Sequence, residues 1–195
     1  LGAAQAWLIQ ATSTAAAPTK LYFELTVSQR SAGQGVFYTF GFANATSNLN
    51  LEQGIYDANA TVVNLQGTSY NRYGTAVVAT QPSTTAVGQV LGVAVDTVAN
   101  KFCVKNITLA AAYVPNDCTA GGAGYDISGI AGNLFIVFGS NGRPPLGSAV
   151  YVDDEAILNA GASAFVGAIP SGHSAWNALG TNTTWSPTDK GSLTE

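Results

Sequence analysis

Few side chains in these 195 residues are suited to chemistry, and the first to weigh are the two cysteines, Cys103 and Cys118. They can form a disulfide, stay as free thiols or, with further ligands, hold a metal. A metal centre needs about four clustered donors, and the single histidine, His173, lies far along the chain, so no metal site is expected. In residues 101–105 (KFCVK) strand alternation groups Cys103 with Lys101 and Lys105, on a face read as solvent-side, where a loop cysteine can reach it. The bridge is preferred over two free thiols. Closing a loop of about 15 residues would contribute roughly 3 kcal/mol in the chain-entropy account, and a bridge implies an oxidising, extracellular setting.

Paired carboxylates would do another chemistry, since glycoside hydrolysis takes two of them about 5 to 9 Å apart, one as acid and one as base or nucleophile. The only acidic cluster is Asp153-Asp154-Glu155. On a strand Asp153 and Glu155 would share a face with Asp154 opposite, but the segment reads first as a solvated turn after a strand over residues 149–152. Calcium ligation and catalysis rank behind that reading. Gly-x-Ser-x-Gly does not occur, and His173 has no Ser or Cys beside it in a nucleophile-elbow setting. No catalytic residues and no cofactor are expected.

Aromatic side chains are the better binding material. Tyr56, Tyr70, Tyr73, Tyr113 and Tyr125 fall in or beside segments rich in Asn, Gln and Thr, among them residues 69–74 (SYNRYG). An aromatic face stacks on the apolar face of a pyranose while amides and a guanidinium bond its hydroxyls. Tyr70, Arg72 and Tyr73 are therefore the candidate ligand contacts, set against an ordinary strand and turn. Asn-x-Ser/Thr triplets at Asn44, Asn59, Asn106 and Asn182 carry little weight in a chain so rich in Asn and Thr.

The elements that must position these residues read as strands. Residues 21–27 (LYFELTV) put Leu21, Phe23, Leu25 and Val27 on one face, and residues 36–42 (VFYTFGF) put Val36, Tyr38, Phe40 and Phe42 together. Residues 90–96 (VLGVAVD) and 134–138 (LFIVF) are more continuously apolar, as central strands covered on both faces require. Residues 153–159 are long enough only for a short helix. The stretch 11–17 is an edge strand or an extended connection. With about ten strands separated by Gly-, Ser-, Thr- and Asn-rich turns, the economical architecture is an all-β, two-sheet antiparallel sandwich.

Composition narrows the rest. Charged residues make up 9% of the chain, against roughly 25% in ordinary domains, and hydrophobic residues 47%, which argues against disorder. Seven Lys and Arg residues scattered in a chain of net charge −4 leave no footprint for a phosphate backbone, so nucleic acid is not an expected partner. Apolar runs are too short for a membrane-spanning helix, and no membrane insertion is expected.

In order, residues 20–28 (KLYFELTVS), 41–45 (GFANA), 88–106 (GQVLGVAVDTVANKFCVKN) and 133–138 (NLFIVF) resemble the SPRY domain, a concanavalin-like β-sandwich or jelly roll. The ending over residues 159–176 (NAGASAFVGAIPSGHSAW) is similar to that of SPRY-like domains in bacteriophage and prophage structural proteins. The chain departs from the pattern at Gln89, Ile107 and Ala160. The resemblance implies a structural role for Glu24, a packed position for His173 beside Trp176, and a conventional strand and turn at residues 69–74.

It also implies one domain over residues 1–178, with residues 179–195 an extension, a linker or the start of a further repeat. The chain, which contains no Met, reads as a segment or processed product of a longer protein. The function so implied is a non-enzymatic module at a virion surface, in a spike, fibre or decoration protein. Its expected partners are host-surface glycans, other virion proteins or further copies of itself. A peptide-binding SPRY module is the alternative, and a glycan-active enzyme the more distant one.

Overall fold

The computed structural model describes residues 7–10, 19–29, 38–47, 58–64, 69–82, 86–140 and 155–176. The expected strands at the sequence level appear as β2 (Lys20–Gln29), β3 (Tyr38–Ala43), β7 (Val90–Asp96), β8 (Lys101–Asn106) and β10 (Phe135–Ser140). Around them lie β1 (Trp7–Gln10), β4 (Ala60–Asn64), β5 (Ser69–Arg72), β6 (Thr75–Val78), β9 (Tyr125–Asp126), β11 (Glu155–Asn159) and β12 (Ser174–Ala175). A single 3-10 turn, Cys118–Ala120, is the only helical element among the described residues.

Two sheets form. The first runs β1-β10-β3-β4-β5-β6 and the second β11-β2-β7-β8-β9, all antiparallel, with β12 added parallel to the start of β2. The segment expected to be at most a short helix is strand β11 instead. Ala156 and Leu158 pack on the core while Ile157 faces out, half exposed, and that period of two suits a strand and not a helix. Glu155 accordingly opens β11 and does not sit in a turn, while Asp153 and Asp154 lie outside the described residues.

The inward face read for β2 is correct, since Leu21, Phe23, Leu25 and Val27 all lie in the core between the sheets. Phe40 and Phe42 meet them from β3. Phe23 and Phe42 pack edge to face at 6.1 Å, Trp176 stacks on Phe42 at 5.8 Å, and Phe102 meets Phe42 at 4.9 Å. Such pairs add about 0.5–1.5 kcal/mol each beyond the area they bury. The chain thus brings its last described residue, Trp176, back between the two sheets.

The outer face of the second sheet departs from expectation. Cys103 is fully buried, not solvent-side, because residues 107–118 fold back over the sheet and cover it. A second small core forms there from Tyr22, Ala94, Cys103 and Cys118, with Ile107, Tyr113 and Phe165 packed against it. The departure at Ile107 is explained by this cover, and the departure at Gln89 by its side chain, whose Oε1 accepts from Asn106 Nδ2 at 2.9 Å.

Candidate functional site

The three candidate contacts lie on one hairpin, β5–β6, closed by Tyr73 and Gly74. Both turn residues have positive φ, 51° and 78°, the pairing that a two-residue type I′ turn demands. Tyr73 tolerates this left-handed conformation because it is held from two sides. Its amide donates to the Ala60 carbonyl at 2.9 Å, and its hydroxyl accepts the amide of Gly129. A Cβ at Gly129 would fall 2.7 Å from the Tyr73 ring, so a side chain there would push that ring aside.

Arg72 Nη1 lies 3.5 Å from Asp126 Oδ2, with both side chains partly exposed. An exposed pair of this kind is worth under about 1 kcal/mol, but it joins the hairpin of the first sheet to β9 of the second. Tyr70 does not reach the surface. It is 6% exposed, its ring packs on Tyr125 at 5.0 Å, and burial pushes its phenol pKa up. Of the three residues read as ligand contacts, Tyr70 is therefore a core residue, while Arg72 and Tyr73 remain at the rim. Tyr125 is likewise buried and donates its hydroxyl to the Thr80 carbonyl at 2.6 Å.

Sequence reasoning missed Asp126 and Gly129, the partners that fix this rim. They lie more than fifty residues from Arg72 and Tyr73, and no local spacing announces them. Tyr56 lies outside the described residues.

Cys103 and Cys118 are bridged, with Cα atoms 5.7 Å apart. The bridge pins the covering segment, on which burial raises the Tyr113 phenol to about 12 while the Lys105 ammonium stands 4.8 Å from its ring centre. Glu24 is structural, as read. Its carboxylate, 2% exposed, accepts from Val166 N at 2.8 Å, Gly167 N at 2.7 Å and the Tyr22 hydroxyl at 3.0 Å. This clips residues 165–167 across β2.

His173 sits half-buried in the turn before β12, with Nδ1 3.3 Å from the Ser171 carbonyl and Nε2 buried without a partner. Burial lowers its pKa, and the nearby Lys20 ammonium adds to the effect. Among the described residues, no group of three His, Cys, Asp or Glu side chains could hold a metal ion. Asn44 and Asn106 are buried, with Asn44 donating to the Ala131 carbonyl at 3.1 Å.

No family model matches this chain, and no curated protein matches it. Among solved structures it is similar to the SPRY domain of human HERC1, with a TM-score of 0.57 at 11% sequence identity. That likeness covers 81% of this chain and 84% of the other. It shows the fold, a SPRY-type β-sandwich, as the ordered motifs led one to expect. The phage and prophage setting has no support in these comparisons.

Proposed function

We propose that this chain is a non-enzymatic interaction module that binds a segment of another protein at the rim formed by hairpin β5–β6 and residues 126–130. The carrying observation is the tie between Tyr73 and Gly129, reinforced by Arg72 and Asp126, which presents a rigid, partly exposed edge. Rigid surfaces bind more tightly because little freedom remains to be lost. The SPRY-like fold supports the same reading by analogy of fold alone.

The glycan reading is weakened by the burial of Tyr70, one of its three proposed contacts. The virion-surface role rests only on the resemblance of the ending and is not carried forward. The Cys103–Cys118 bridge supports an oxidising, extracellular setting.

The test exposes the immobilised domain to a displayed library of linear twelve-residue peptides and, in parallel, to an array of bacterial surface polysaccharides. Saturable peptide binding weakened by Arg72→Ala is expected. Binding on the polysaccharide array alone, or on neither surface, would overturn the reading.

A further inference from the structure

Strand β6 ends the first sheet, and its residues Thr75-Ala76-Val77-Val78 carry no charge and no proline. A terminal strand offers unpaired amides and carbonyls to any extended chain, and folded proteins usually blunt such edges with charges, prolines or bulges. The edge strand β11 has these devices, since it begins at Glu155 and its register shifts between Glu155 and Ala156. Strand β9 is only two residues long. Strand β6 is protected in neither way among the described residues; β1, at the other end of that sheet, is likewise uncharged, but β6 adjoins the Arg72–Tyr73 rim.

The direction of its backbone groups follows from the hairpin. In a two-residue turn the flanking residues, here Arg72 and Thr75, exchange hydrogen bonds with each other, and pairs then alternate along the ladder. Thr75 and Val77 therefore turn their amides and carbonyls toward β5. Ala76 and Val78 turn theirs away from the sheet. The parity is checked from the other side of β5, where the amide of Tyr73 points to β4 and bonds Ala60, as alternation from Arg72 requires. On the outer face Val78 is 86% exposed, a β-branched side chain with room for a cross-strand neighbour.

We propose that the bound segment is an extended, uncharged, β-branched stretch of a partner protein that adds as a strand along β6, hydrogen-bonded to Ala76 and Val78. This deepens the interaction reading above and rests on it. A second copy of this chain is a poorer occupant, because a four-residue edge is about 13 Å long. That is too short to bring two folded domains to the roughly 1,200 Å² a stable interface buries. A peptide needs only the edge and the adjoining rim.

Peptides selected by the wild-type domain are tested against Ala76→Pro, which deletes an outward amide but leaves the inward ladder to β5 intact, as prolines on edge strands do. Val78→Lys, a charge at an exposed site, is the second variant should the proline disturb folding, and thermal melting checks both. The expected result is selected peptides rich in Val, Ile and Thr, free of Pro, with affinity reduced about tenfold or more by either variant. Peptides that bind both variants as well as wild type yet lose affinity to Arg72→Ala would overturn strand addition and leave the interaction reading standing. Failure to select any peptide would overturn both. Concentration-dependent dimerisation abolished by Ala76→Pro, without peptide binding, would assign the edge to a second copy and overturn this proposal.

Discussion

Glu24 and Gly167, 143 residues apart, are joined by a 2.7 Å hydrogen bond from a backbone amide to a buried carboxylate. The same carboxylate accepts from Val166 and from the Tyr22 hydroxyl, so one side chain satisfies three donors. Here an acidic residue in a β-sandwich does the work of a clip.

Replacing Glu24 by Ala leaves those donors without an acceptor. Charge-assisted bonds of this kind are worth about 1.5–3 kcal/mol each, and orphaned donors add a desolvation cost. A loss of roughly 3 kcal/mol or more in urea unfolding is expected for Glu24→Ala, with Glu24→Gln less damaging because it keeps one acceptor oxygen. Equal stability of Glu24→Ala and wild type would refute the clip.

The bridge between Cys103 and Cys118 closes a loop with a sequence separation of 15 and is buried at both ends. Its removal by the double change to Ala should cost about 3 kcal/mol. In the folded protein, thiol alkylation after mild reductant should stay slow, and it should become rapid in denaturant. Fast labelling of the native protein would mean that residues 107–118 open freely.

His173 and Asp96 both contribute to the acid limb of the stability curve. His173 has a folded pKa depressed from the ordinary 6.5 by burial and by Lys20, so the unfolded chain takes up the proton first. Its contribution is complete above about 6.5 and declines as pH falls from there through the folded value. Burial alone would raise the Asp96 carboxyl, but the amides of Ala99 and Val98 and the Lys20 ammonium outweigh it and hold its pKa below 3.8. That stability is lost only as pH drops below 3.8 through the folded value. Unfolding free energies measured from pH 8 to pH 2 should therefore fall in an upper step from His173 and a lower step to which Asp96 contributes. Asp117, whose bonds to Thr119 also hold its pKa below 3.8, adds to the lower one. His173→Gln should erase the upper step and spare the lower, and an unchanged upper step would remove His173 from the account.

Two of the Asn-x-Ser/Thr triplets should be incompatible with modification. Asn106 is 1% exposed, donates to Gln89 and accepts the amide of Leu109 at 3.1 Å, and Asn44 is 7% exposed. Secretion from a eukaryotic host, followed by peptide mapping, should find folded, exported protein without glycan at Asn44 or Asn106. Full occupancy at Asn106 in folded material would contradict the described burial.

The inward face of β2 was legible in the sequence because apolar residues alternate there, and alternation is a local signal. The outer face of the second sheet, on β2 and β8, was not. Tyr22, Glu24 and Cys103 look like a half-exposed pattern, yet residues 107–118 and 165–167 arrive from far along the chain to cover them. Period alone cannot announce a cover. The candidate site divides in the same way. Tyr70 shares the parity of Val63 across the β4–β5 ladder, and both are buried, a signal that the mixture of Tyr, Asn and Arg in residues 69–74 obscured. The distant partners of Arg72 and Tyr73, Asp126 on β9 and Gly129 in the turn after it, are placed beside them only by the folded chain.

Trp176 packs on both Phe23 and Phe42, and its position in the chain governs when the core can close. During synthesis both sheets can be in place, with the aromatic interior still open at one end, until residue 176 has left the ribosomal tunnel. Contacts this distant in sequence form late and slowly, and a sandwich exposing Phe23 and Phe42 in the meantime is prone to association with other nascent chains. The finished domain is thus closed by Trp176, a residue synthesised long after the two phenylalanines it covers.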